Sequence, residues 1–188
     1  MPEFNWHGDT LELLDHPYNT TIRNERAIEV PIGRKFIADH EGTGIEVGNV
    51  LGHYGPTDWT VIDRYEEAPG VENIDLFDID GTYDWVLAIS TVEHVGNWPG
   101  ESGDPARAVD AVDHLFSLVA PGGAMLITVP FDQNPALDKA IVDFDLGADV
   151  STTMLWSNSG WSETPGAVWG PRRLPNIWPS ALWVGEWE

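Results

Sequence analysis

Four short apolar runs set the rhythm of the chain, and each closes on a polar or glycine position. Ile45-Glu-Val47 leads into a loop that starts at Gly48. Trp59-Thr-Val-Ile62 closes on Asp63, Val71-Glu-Asn-Ile74 on Asp75, and Trp85-Val-Leu-Ala-Ile89 on Ser90. Strand-length runs of this kind belong to parallel sheets, whose strands are covered on both faces. Ligands of open α/β sheets bind beyond the carboxyl ends of the strands. The pattern therefore predicts an α/β fold with a mostly parallel sheet and helices on both faces. It puts Gly48, Asp63, Asp75 and Ser90 along one edge.

The connections are short. Ten residues separate Gly48 from Trp59, and seven separate Asp63 from Val71. A parallel crossover usually needs about a dozen or more, so shortened crossovers with at most a single helical turn are expected. Upstream, residues 24–40 read as helical and interrupted at Pro31, which suits the first turn of a new helix. Downstream, Asp104 reads as an N-cap with Pro105 as the first helical residue. Ala108, Val112, Leu115 and Phe116 follow at helical spacing, and Pro121-Gly-Gly123 stops the helix. Residues 124–129 read as a strand, 137–144 as a short helix, and 150–156 and 181–187 as strands. Residues 160–179, rich in Gly, Pro and Trp, read as a loop or lid. The expected organisation is an N-terminal arm over 1–23 and one α/β domain over 24–188, with a tryptophan-rich segment from 147 to 188.

Charge narrows the partners. Thirty-one acids face nine bases, a formal net charge of −22. Such a surface repels phosphate backbones and gains nothing from counterion release, so a nucleic-acid partner is not expected. No apolar run reaches the roughly 18 residues of a membrane span, and the first residues do not read as a signal peptide. With no cysteine, disulfides and thiolate metal sites are ruled out, and an intracellular, cytoplasmic protein is the expectation. The histidines are scattered without metal-ligand spacing, so no metal site is expected.

The loop after the first run carries the chemistry. Gly48 and Gly52 let the backbone approach a ligand closely. Asp63 lies 17 residues after Glu46, near the distance at which an acid accepts ribose hydroxyls. A dinucleotide fingerprint needs glycine where Val50 stands, and P-loop spacing is absent. Glu46, just before the glycine turn, would repel a pyrophosphate but can pair with an ammonium or sulfonium ligand.

Five segments in order together resemble the core of a class I S-adenosylmethionine-dependent methyltransferase, a Rossmann-like family. Ile45-Glu-Val-Gly-Asn-Val-Leu-Gly52 is similar to its first motif, with Val50 in place of the middle glycine. Val61-Ile-Asp63 resembles the ribose-binding strand end, and Asn73-Ile-Asp-Leu76 the adenine-side segment. Residues 83–94 resemble the fourth-strand motif, and residues 118–130 the Pro-Gly-Gly turn and fifth strand. The resemblance covers roughly residues 24–145. It implies S-adenosylmethionine as cofactor, contacted by Glu46, Gly48, Asn49, Gly52, Asp63, Asp75, Leu76 and Ser90. It implies transfer of a methyl group to a small-molecule or glycan acceptor near the Ser90–His94 turn, with Glu93 or His94 as the base where the nucleophile needs one. The C-terminal tryptophans would then cover that acceptor. A non-catalytic binding or assembly module on the same fold is the alternative, favoured by Val50 and the short crossovers.

Overall fold

A computed structural model describes residues 2–98, 103–144, 146–167 and 181–188. In chain order the elements are β1 (Glu3–Trp6), β2 (Asp9–Glu12), α1 (Arg26–Asp39), β3 (Gly44–Val47), β4 (Thr60–Ile62), β5 (Val71–Glu72), β6 (Tyr83–Ile89), α2 (Arg107–Ser117), β7 (Val119–Pro130), α3 (Pro135–Val142), β8 (Val150–Ser157), β9 (Gly160–Pro165) and β10 (Ala181–Trp187). Eight strands form one sheet in the order β5-β4-β3-β6-β7-β10-β8-β9. The pairings from β5 to β7 are parallel, and those from β7 through β9 are antiparallel. The expected α/β sheet is thus present, with an antiparallel extension at one end.

Burial on both faces explains the unbroken apolar runs. Along β6, Val86 and Ala88 join a core with Val112 and Leu115 of α2 and Leu137 and Ile141 of α3. Trp85, Leu87 and Ile89 point the other way, into a core with Ile28, Ile32 and Phe36 of α1. Side chains of a strand alternate between faces, so one run serves two cores. The hairpin β1–β2 closes the second core with Phe4 and Trp6. Residues 2–23 are built largely as this hairpin and a 3-10 turn at Tyr18–Arg23.

The helix α1 runs unbroken through Pro31, against the expected interruption. Proline lacks the N–H that would bond the carbonyl four residues back. Here that carbonyl, Ala27 O, accepts from Leu14 N at 2.9 Å. The arm supplies the missing donor, so the helix continues. The helix α2 begins at Arg107, slightly later than expected. Asp104 instead caps the entry turn through Ala106 N at 3.2 Å.

The crossovers are as short as the spacing requires. Between β3 and β4 stands only a 3-10 turn, Leu51–His53. Between β4 and β5 there is no helix. The reading of 160–179 as a lid fails for its described part. Residues 160–165 are β9, the sheet edge farthest from β5, and Trp161 is buried in the α1-side core. Hydrophobic burial and pairing with β8 determine that placement. Residues 168–179, with Trp169 and Trp178, lie outside the described residues. Among the described residues no helix is long and apolar enough to cross a membrane.

Gly44 sets how β6 docks on β3. A Cβ there would lie 1.8 Å from Cε2 of Trp85. Gly44→Ala must push that indole, which also stands edge-on to Phe36 and Trp59. Overpacking of this kind costs about 1–3 kcal/mol. The urea midpoint of Gly44→Ala should fall accordingly, and an unchanged midpoint would show that the indole is free to move.

Candidate functional site

A cavity of about 430 Å³ opens at the carboxyl ends of β3, β4 and β6. That is within the size range of small-molecule sites. Of the residues expected from sequence, Gly48, Asn49, Asp63, Asp75, Leu76, Ser90 and His94 line it. Glu46, Gly52 and Glu93 do not.

Glu46 is spent on the loop itself. Its Oε1 accepts from Val50 N (3.0 Å) and Leu51 N (2.7 Å), and its Oε2 accepts from Trp59 Nε1 (3.0 Å). The side chain is fully buried. Burial raises its pKa, and the three donors oppose the rise. In place of an ammonium ligand, the carboxylate serves the first amides of the turn, which no helix satisfies internally. Gly52 is an internal packing position, where a Cβ would sit 2.2 Å from Asn49 Oδ1. Gly48 has φ +89°, and a Cβ there would lie 2.1 Å from Thr91 Oγ1, so only glycine fits.

The two aspartates are partly occupied by protein donors. Asp63 Oδ1 accepts from Tyr65 N and Glu66 N, each at 2.8 Å, and Oδ2 from Asn49 N at 3.2 Å. A carboxylate has about four acceptor sites, which leaves Asp63 one more on Oδ2. Asp75 Oδ1 accepts from Phe77 N at 3.1 Å, and Oδ2 pairs with Arg64 Nη1 at 3.0 Å. Between them, Val47, Ile62, Ile74 and Leu76 form an apolar wall of the cavity. Charges of both signs line the rim: Asp63, Glu66 and Asp75 beside Arg26, Arg64 and Arg107, with Arg26 paired to Glu29 and Arg64 to Asp75.

At the end of β6 the chain turns sharply. Ser90 has φ +41°, which only over-determined surroundings hold in a non-glycine residue. Its N–H donates to Thr128 O (3.0 Å) and Thr128 Oγ1 (3.1 Å). Its hydroxyl donates to Glu29 of α1, as does Thr128 Oγ1 at 2.6 Å. Arg26 pairs with the other oxygen of Glu29. Glu93 lies behind the surface at 1% exposure, its Oε1 3.7 Å from His94 Nε2. Burial pushes the Glu93 carboxyl well above the usual carboxylate range, with Glu29 and Glu25 adding to the rise. Burial, and then the Arg26 charge, lower the His94 pKa. Both shifts favour the uncharged forms, His94 as an acceptor and Glu93 as an acid.

Exposed aromatics frame the mouth. Tyr18, Tyr65 and Trp98 all line the cavity and are each more than 40% exposed. Tyr65 stacks on Trp98, Trp98 stands edge-on to His94, and Tyr18 stacks on His53. The tryptophan cover expected from the C-terminal segment is thus supplied, in its described part, by other residues. Glu25, Arg26, Glu29 and Tyr18 were not among the sequence candidates. The one local signal for Glu29 is an acid inside the apolar stretch Ala27-Ile-Glu-Val30. Among the described residues no group of three metal-ligating side chains gathers.

No protein-family model and no curated protein sequence matches the chain. The fold is similar to that of the N-methyltransferase NodS from Bradyrhizobium japonicum WM9 in complex with S-adenosyl-L-homocysteine. The TM-score is 0.54 at 12% identity, over 86% of this chain and 85% of that one. The chain has the class I methyltransferase fold. A second crystal structure of NodS gives a TM-score of 0.53 at 12% identity, over 86% of this chain and 94% of that one. At such identity the likeness is one of fold, and function rests on the site.

The role of Glu46 as a loop brace is testable. Glu46→Gln keeps one carbonyl oxygen for the loop amides but turns an amide donor toward a former donor partner. The loss should be about 1–3 kcal/mol of stability, read from urea unfolding. A variant of unchanged stability with weakened ligand binding would return Glu46 to the ligand.

Proposed function

We propose that the chain transfers the methyl group of S-adenosylmethionine to a small-molecule or glycan acceptor. The observation that carries the reading is Asp63. It stands at the end of β4, lines the cavity beside an apolar wall, and keeps accepting capacity on Oδ2. S-adenosylmethionine, when bound, supplies a methyl group activated by its sulfonium centre. Asp63 would accept a ribose hydroxyl, and Leu76 with Asp75 would flank the base. Gly48 and Asn49 would allow close approach along the loop. Ser90 and His94 border the end at which the acceptor would enter. Methyl transfer needs mainly alignment of the reacting atoms in a water-poor site. His94, held neutral, can take a proton from the acceptor.

The second reading, a binding module without turnover, is favoured by one observation. Asp63 and Asp75 already hold protein donors, which is also what turn-stabilising aspartates do. Calorimetric titration separates the readings. S-adenosylmethionine and S-adenosylhomocysteine should bind, and NAD should not. Asp63→Asn, which keeps one carbonyl oxygen for the turn, should weaken S-adenosylhomocysteine by about 1.5–3 kcal/mol, the worth of a hydrogen bond to a charged group. Equal affinity in the two proteins would remove Asp63 from the site.

The charge of −22 supports a partner other than nucleic acid. DNA and RNA should give no mobility shift at physiological salt with sub-micromolar protein. A salt-sensitive shift under those conditions would overturn this part of the reading.

A further inference from the structure

Six buried side-chain polar atoms lack a hydrogen-bond partner among the described residues, and three of them converge on one place. They are Glu25 Oε2, Glu93 Oε2 and Tyr54 Oη. The place is the inner wall of the cavity around Arg26. Arg26, Tyr54, Ser90 and His94 line the cavity. Behind them stand Glu25, Glu29 and Glu93, each in electrostatic contact with Arg26. Glu93, at 1% exposure, directs its carboxyl into this cluster and toward His94. Three carboxyls thus surround one guanidinium, and that guanidinium is already paired with Glu29. A buried polar atom left unpaired costs about 1–3 kcal/mol. An anionic ligand would find Arg26 already committed and the carboxyls repulsive. A cation would satisfy what the protein leaves open. At the mouth, Tyr18 and Trp98 offer exposed ring faces to an apolar body or a cation.

We propose that this cluster receives the methyl acceptor and that the acceptor is an organic amine, entering as its ammonium. The inference rests on the methyl-transfer reading and adds the substrate class. The ammonium first gives one proton to a carboxylate of the cluster or to neutral His94. The freed nitrogen lone pair then forms the new N–C bond as the S–C bond of the sulfonium donor breaks, its electron pair staying on sulfur. The product is a methylated ammonium, a neutral thioether and one proton passed to water.

The empty cluster holds protons in place of the amine. Burial, and then Glu29, push the Glu25 carboxyl up to about 8, opposed by Arg26. Glu93 is raised in the same direction. The groups facing these two are Arg26 and Glu29 on α1, His94 beside Glu93, and Tyr54 beside Glu25. An ammonium favours the ionised carboxylates, so its binding should release protons at neutral pH, Glu25 first among them.

The probe is benzylamine, titrated calorimetrically into the chain with S-adenosylhomocysteine present. Benzyl alcohol and phenylacetate serve as the neutral and anionic counterparts. Benzylamine should bind at least about tenfold tighter than either, a difference of roughly 1.4 kcal/mol. Its heat should depend on the buffer's ionisation enthalpy with the sign of proton release. Glu25→Gln and Glu93→Gln imitate the protonated carboxyls and should fold. Each should weaken benzylamine several-fold and lower the number of protons released, with S-adenosylhomocysteine affinity unchanged. Benzyl alcohol or phenylacetate binding as tightly as benzylamine overturns the proposal. So does benzylamine binding without proton release, or no benzylamine binding to a chain that binds S-adenosylhomocysteine. Failure of S-adenosylhomocysteine itself to bind, with benzylamine still bound, overturns the methyl-transfer reading and leaves the amine site standing.

Discussion

One buried carboxylate, that of Glu29, holds the working end of the sheet together. It accepts from Ser90 on β6's end, from Thr128 on β7 and from Arg26 on its own helix. A charge taken out of water costs several kcal/mol unless hydrogen bonds and a counter-charge replace its hydration. Glu29 has all of these, and so it can stay buried at the junction of one helix and two strands. Ser90's left-handed backbone, a strain of about 1–3 kcal/mol, survives because its N–H and hydroxyl are both fixed by the same group of partners. The turn that follows, with Glu93 and His94, inherits its direction from that joint. Loosening Glu29 would release the strain, and the inner cavity wall would lose its shape with it.

Glu46 plays a parallel part at the end of β3. The first N–H groups of a helical turn have no partner within it. Glu46 accepts those of Val50 and Leu51 at the start of Leu51–His53. Asp63 does the same for Tyr65 and Glu66, and Asp75 for Phe77. Part of the chain's acidity is thus spent on the backbone of the loops that follow the strands.

The sheet was legible because buried parallel strands write themselves as apolar runs, and their polar ends marked one edge. Gly48, Asp63, Asp75 and Ser90 all line the cavity, where that edge puts them, and so do Leu76 and His94, which the family resemblance names. Glu46 is turned into the loop rather than into the cavity, and alternation holds the clue. Ile45 and Val47 face the α2 side, so Glu46 must face the α1 side. Glu29, Arg26 and Tyr18 reach the site only through the packing of α1 and the arm, which no local pattern encodes. Pro31 misled for a related reason, since its compensating donor comes from Leu14, far from the helix in local pattern. Trp161 read as cover because composition was weighed above strand pairing. Its segment alternates as an edge strand does, with Trp161 buried and Ser162 exposed.

The position of β10 has a consequence for how the molecule assembles. It lies between β7 and β8, antiparallel to both, yet follows both in the chain. The hairpin β8–β9 therefore has no neighbour in the main sheet until β10 has been made. During synthesis the five parallel strands can already associate, with β7 presenting an unpaired edge. Such an edge invites pairing with another chain. β10 fills the gap between β7 and β8 and ties the hairpin to the main sheet. The strand bearing Trp183 and Trp187 is thus the one strand linking the two parts of the sheet, while the cavity lies wholly on the parallel part.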